Sequence, residues 1–119
     1  MVIDKQSEVP VYRQIIDQIT KAIIDGEYRS NDILPSVRRI AKENGVNPNT
    51  VQKAYRELEK MGAVYSIAGR GNFVADSGDI LKENNKKEVK DRFVALVKEA
   101  KSAGIWMDEL ITLIDSAYY

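Results

Sequence analysis

Three residues at set spacing constrain this chain more than any other feature: Ala41, Gly45 four positions later, and Val51 six beyond that. They sit within two short helical patterns. The first opens at Ser36, whose hydroxyl is suited to accept from an orphan N–H of the first turn. It shows a narrow apolar face of Val37, Ile40 and Ala41 and ends at Asn44-Gly45. The second opens at Asn47-Pro48, with Asn as cap and Pro at the first helical position. Its expected buried stripe is Val51, Ala54, Tyr55, Leu58 and Met61, and Gly62 stops it. Two helices joined around a glycine form a helix-turn-helix. Each of the three residues then has a steric task. Ala41 is small enough for the second helix to cross closely, Gly45 lets the chain turn with positive φ, and Val51 seats the second helix. Val46 plugs the corner.

What flanks the pair sharpens the reading. Upstream, Tyr12, Ile15, Ile16, Ile19, Ala22 and Ile23 recur with the helical period after Pro10, opposite Asp17, Gln18, Lys21 and Asp25. Gly26 ends that helix, and residues 27–35 connect it onward, Ile33 and Leu34 forming a very short strand. Downstream, residues 63–67 and 72–75 are β-prone and Ala68-Gly69-Arg70-Gly71 is turn chemistry, which makes a hairpin. Helix, helix-turn-helix and glycine-tipped hairpin, in that order, make a winged helix. The tail passes a boundary at residues 76–79 and a charged approach from Lys82 to Lys87. A helix follows with Val89, Phe93, Leu96, Val97 and Ala100 on one face. Ala103-Gly104 breaks it, and a last helix carries Met107, Leu110, Ile111, Ile114 and Ala117. The expected fold class is α+β, mostly helical: a winged helix-turn-helix domain over residues 1–77 (helix-turn-helix about 36–61, wing about 63–76), then a two-helix appendage over 78–119.

Composition removes most chemistry. The chain has no Cys and no His, which excludes disulfides, thiolate or imidazole metal sites, and triads or dyads built on those side chains. Carboxylate-only Mg²⁺ catalysis survives, but it needs a pocket that so short a chain would struggle to enclose, and the sequence shows no clustered Asp or Glu. No enzyme activity and no cofactor are expected. No run of eighteen apolar residues exists, so no membrane span is expected. The N-terminus lacks the apolar core of a secretory signal, which sets a cytoplasmic expectation. The net charge is zero, yet from Ser36 to Arg56 five cations, Arg38, Arg39, Lys42, Lys53 and Arg56, face Glu43 alone. Such a patch is either a solvated helix face or a surface for a polyanion.

Several stretches together resemble the GntR family of bacterial transcription regulators. Leu34-Pro35-Ser36-Val37-Arg38-Arg39-Ile40-Ala41 is similar to its L-P-S-x-R-x-L-A signature. Gly45-Val46-Asn47-Pro48-Asn49-Thr50-Val51 is similar to its G-V-S-x-x-T-V, with Asn47 in place of Ser. Gly69-Arg70-Gly71-Asn72-Phe73-Val74 resembles its G-x-G-T-F-V, with Asn72 in place of Thr. The likeness covers residues 9 to 76. The short helical tail resembles the YtrA subfamily, whose members dimerise through such an appendage and are commonly repressors near ABC-transporter genes. Trp106 departs from that pattern, in which a polar cap residue usually precedes the last helix. It is either an interface anchor or folded back on its own chain.

The residues beyond the buried stripe of the second motif helix are Asn49, Thr50, Gln52, Lys53 and Arg56. On a helix in a major groove, Asn and Gln pair with adenine and Lys or Arg with guanine. The resemblance places Asn49, Thr50, Gln52 and Lys53 on DNA. The family often has Arg at the positions of Pro48 and Gln52, so a different base preference is expected. Ser36 and Arg38 sit where a helix N-terminus favours an anion, and the resemblance makes Arg38 a DNA contact. Arg39 either joins it or only covers helix surface. Arg70, between two small residues at the wing tip, suits a minor groove. The expected interface is therefore Ser36, Arg38, Arg39, Asn47, Asn49, Thr50, Gln52, Lys53, Arg56, Arg70 and Gly71.

Two tail helices cannot bury their own apolar stripes. Phe93, Leu96, Val97, Trp106, Leu110, Ile111, Ile114 and Tyr118 are the expected dimer surface, since twofold pairing is the commonest closed solution. The expected function is sequence-specific binding of a near-palindromic double-stranded operator by a homodimer acting as a repressor. A winged-helix protein-interaction module that binds no DNA is the alternative. An effector cleft between the tail helices or at the dimer interface stays open.

Overall fold

The computed structural model describes residues 1–76 and 78–119, with the burial of Gly78 and Ile80 also outside the description. Among them the chain order is α1 (Val11–Ile24), α2 (Val37–Asn44), α3 (Pro48–Lys60), β1 (Val64–Ile67), β2 (Gly71–Val74), α4 (Gly78–Ser102) and α5 (Met107–Tyr118). By internal packing the chain divides into Met1–Lys82 and Glu83–Tyr119.

In the first unit both α1 and α2 pack against α3. The periodic residues do this: Ile15, Ile16, Ile19 and Ile23 of α1 meet Ile40 and Ala41 of α2 and Val51, Ala54, Tyr55 and Leu58 of α3, all buried. Met61, expected in that stripe, is 46 % exposed. α3 ends at Lys60 with Met61 as its C-cap, and its buried stripe stops one turn earlier at Leu58. β1 and β2 pair antiparallel in the register Val64↔Val74 to Ile67↔Gly71. Tyr65 and Phe73 stack across them at 5.5 Å. The short strand expected at Ile33-Leu34 is a single bridge, Ile33↔Phe73, flanked by Leu34 N–H to the Asn72 carbonyl at 2.9 Å and Asn31 N–H to the Val74 carbonyl at 2.7 Å.

The first nine residues had no expected structure, yet they lie along α1. The Gln14 side chain accepts from Asp4 N–H at 2.9 Å and donates to the carbonyls of Asp4 and Val9, while Gln18 accepts from Val2 N–H at 3.1 Å. Ile3 packs on the core edge.

The charged stretch from Lys82 to Lys87 is not an approach to a helix but part of α4, a helix of 25 residues. Its early Leu81 is buried with the first unit's core. The second unit holds the rest of α4, a break at Ala103-Gly104 and α5, none of whose residues is buried. Among the described residues no helix is long and apolar enough to cross a membrane.

Candidate nucleic-acid interface

The geometry of the site begins with two helix caps. Ser36 Oγ accepts from Arg39 N–H at 3.0 Å and Asn47 Oδ1 accepts from Asn49 N–H at 2.8 Å. Each satisfies one orphan donor of its helix. Asn47 thus does structurally what the Ser expected there would do. Between the caps Gly45 turns the chain at φ 62°. In that left-handed region a Cβ strains the backbone. A β-carbon there would also stand 2.9 Å from Lys5 Nζ, so the N-terminal segment brings one more cation to the motif's turn. Sequence reading missed Lys5 because nothing in residues 1–9 signals regular structure.

Behind the turn, Tyr55 is the largest fully buried side chain. Its hydroxyl donates to the Pro35 carbonyl. Burial pushes its phenol well above the usual tyrosine range, with Tyr28 adding to the effect. It is a core residue, as its place in the apolar stripe implies.

With Val51, Ala54, Tyr55 and Leu58 turned inward, α3 shows solvent a line of Asn49, Gln52, Lys53 and Arg56, all exposed. Thr50 is half-buried, nearer the flank than the sequence suggests. Lys53 is not loose: its Nζ lies 3.9 Å over the centroid of the Tyr12 ring on α1. Arg38 and Arg39 are exposed at the start of α2, and Arg39 Nε bonds Glu43 Oε1 at 2.9 Å. That carboxylate raises the Arg39 pKa further, first by the hydrogen bond and then by charge. Arg70 is exposed at the wing tip, where its N–H closes the turn on the Ile67 carbonyl at 2.9 Å. Gly71, at φ 120°, is the first residue of β2 and not part of the turn. A cleft of about 780 Å³ runs between α2's start and the wing, lined by Ser36, Arg38, Arg39, Arg70, Gly71 and Asn72 among others, with no acidic residue on its wall. Most of the expected residues thus fall on two surfaces of the first unit, the α3 line and this basic cleft.

In the tail unit, Phe93, Leu96, Trp106, Ile111, Ile114 and Tyr118 are exposed, and Val97 and Leu110 are half-buried. Trp106 does not fold back: it is 78 % exposed and stands at the α5 N-cap without a side-chain capping bond. An apolar cavity of about 550 Å³ lies in the α4–α5 elbow, lined by Val97, Ile105, Trp106, Met107 and Leu110, with Lys101 as its one charged residue.

A helix-turn-helix with a wing, its second helix polar on the outer side and its flank basic, defines a DNA-binding transcription regulator of the winged-helix class. Residues 11–74 match the family described as bacterial regulatory proteins, gntR family. The chain belongs to that family, and it is a regulator and not an enzyme. It is 37 % identical over 109 residues to the HTH-type transcriptional repressor YtrA of Bacillus subtilis, covering 91 % of this chain and 84 % of that protein. A crystal structure of a transcriptional regulator from Oenococcus oeni superposes with TM-score 0.85 at 29 % identity, over 100 % of this chain and 98 % of the other. The DNA-binding domain of AraR, crystallised with its operator ORE1, matches with TM-score 0.55 and 28 % identity over 62 % of this chain and 90 % of that one.

Proposed function

We propose that this chain is a repressor that binds a near-palindromic operator as a homodimer. Residues 1–77 would dock on DNA and residues 78–119 would hold the two copies together in the cytoplasm. The observation that carries the reading is the α3 line of Asn49, Gln52, Lys53 and Arg56, all exposed, in a unit that also presents a basic cleft free of carboxylates on its wall. Asn49 and Gln52 read base edges; Lys53, Arg56 and Arg38 meet phosphates; Arg70 enters the minor groove beside them. Ser36 and Asn47 serve by capping. The bare apolar faces of α4 and α5, with no residue of α5 buried, support pairing with a second copy. Two recognition helices then fall one duplex turn apart, on successive major grooves.

Selection of binding sites from a random double-stranded DNA pool with purified protein tests this directly. The expected product is an inverted repeat with half-sites about 10 bp apart, centre to centre. Affinity for it should fall steeply with added salt as phosphate-bound counterions are released. A pool that enriches no repeat would overturn the reading and favour a protein-interaction module.

A further inference from the structure

We propose that Tyr12 is a positioning residue for DNA recognition. Its ring holds the Lys53 ammonium at one place beside α3 and thereby fixes which phosphate that cation meets. The inference rests on the DNA-binding reading above and deepens it.

Tyr12 belongs to the first turn of α1, and its half-buried body packs on the edge of the core. Its ring is therefore anchored by the same contacts that hold α1 against α3. Lys53 Nζ lies 3.9 Å above the ring centroid, well inside the range in which an ammonium is attracted to an aromatic face.

The chemistry of the partner matters. Arg39 is held by a carboxylate, Glu43, at 2.9 Å, and that contact offsets its charge toward any incoming anion. A tyrosine face restrains a cation while leaving its full positive charge in place. An ammonium carries three N–H donors, so a contact with the ring leaves others directed outward for phosphate oxygens. Lysine is also among the side chains that lose most rotamer freedom when fixed. Ordering Lys53 before DNA arrives removes part of that loss from the binding step, which is preorganisation.

A simpler role for the contact is apolar cover, in which the Lys53 stem merely shields the Tyr12 ring. The two differ in what they predict for binding. Under positioning, the energetic effect of Tyr12 on DNA affinity exists only while Lys53 is present.

The test is a double-mutant cycle on the selected operator with Tyr12→Phe, Tyr12→Leu, Lys53→Met and Tyr12→Leu/Lys53→Met, read as affinity at several salt concentrations. Tyr12→Phe should bind like wild type, because the ring face is kept. Tyr12→Leu should bind about two- to fivefold more weakly, the size of an exposed cation–π contact. Lys53→Met should lower the salt slope by about one, and adding Tyr12→Leu to it should change nothing more. Equal weakening by Tyr12→Leu with and without Lys53, or a loss in Tyr12→Phe as large as in Tyr12→Leu, would overturn the proposal. In the unmutated protein without DNA, proton NMR should show the Lys53 ε-methylene shifted upfield by the ring current. An unshifted resonance would overturn the proposal even if Tyr12→Leu did not fold. Failure of the chain to bind any selected DNA would instead strike the reading beneath it, while leaving that NMR shift in place.

Discussion

The Tyr55 hydroxyl donates to the Pro35 carbonyl, which ties the middle of α3 to the residue just before the α2 cap. The bond crosses the helix-turn-helix from its second member to the start of its first. It links the surface that shows Asn49 and Gln52 to the surface that shows Arg38. Tyr55→Phe keeps the ring and removes the donor, and should cost about 0.5–1.5 kcal/mol in denaturant unfolding. The pH sign follows from the raised phenol pKa. Below the ordinary tyrosine value of about 10 the phenol is neutral in both states, and the bond's stabilisation is fully present. Above it the unfolded phenol ionises first, so stability falls as pH rises. Wild type should therefore lose stability more steeply than Tyr55→Phe above about pH 10, as unfolding curves at paired pH values would show.

Gly45 at φ 62° sits where a β-carbon strains the backbone. Gly45→Ala should lower stability by about 1–2 kcal/mol, the strain of a left-handed residue with a Cβ. The nearby Lys5 Nζ is the free end of a flexible side chain and can move aside. Thermal unfolding of the variant should show the loss, and a Lys5→Ala background should not rescue it.

Asn47 separates capping from base reading. Its Oδ1 is engaged by Asn49 N–H at 2.8 Å. Asn47→Ser should therefore leave both stability and operator affinity close to wild type, while Asn47→Ala should cost about 1 kcal/mol of stability. A changed base preference in Asn47→Ser, measured by repeating the DNA selection, would show that the amide reads DNA instead.

Arg38 and Arg39 are neighbours with different surroundings, since Arg39 alone of the two pairs with Glu43. Arg38→Ala should weaken operator binding and reduce its salt slope by about one. Arg39→Ala should do less on both counts. Gel-shift titrations at three salt concentrations distinguish them.

The tail offers an internal probe, because Trp106 is the only tryptophan and is 78 % exposed in the single chain. If α4 and α5 pair between copies, its emission should lie toward the blue at micromolar protein and move red on dilution or in Leu110→Glu. Sedimentation should show the same variant as a monomer.

The fold of the first unit was legible wherever a periodic apolar stripe met a capping residue. α1, α2 and α3 begin and end within a residue or two of where Pro10, Ser36, Asn47 and the helix-ending residues place them. The wing was legible for the same reason, since two β-prone runs flank a glycine-bounded turn. Three features were hidden. The docked N-terminal segment depends on Gln14 and Gln18, whose amides look like ordinary solvated side chains until they bond backbone at 2.8–3.1 Å. The early part of α4 lacks an apolar period, so Lys82 to Lys87 read as an approach; charged residues with good helix propensity make it helical all the same. The Tyr12–Lys53 contact joins positions 41 residues apart, and Tyr12 by its register belongs to a core face. Of the candidate site, residue identity and the two caps were readable, but the partners of the cationic side chains were not. The sequence names Ser36 and Asn47 both as caps and as binding candidates, and the structure shows both oxygens engaged as caps; the pairing of Arg39 with Glu43 emerges only in the fold.

The central claim is that Asn49 and Gln52, on the outer line of α3, read bases from the major groove. Repeating the random-DNA selection with Gln52→Arg addresses it most directly. Because Gln suits adenine and Arg suits guanine, the account predicts that one position, mirrored in both half-sites, changes from adenine to guanine while spacing and symmetry persist. Recovery of the unaltered wild-type sequence at undiminished affinity would contradict it.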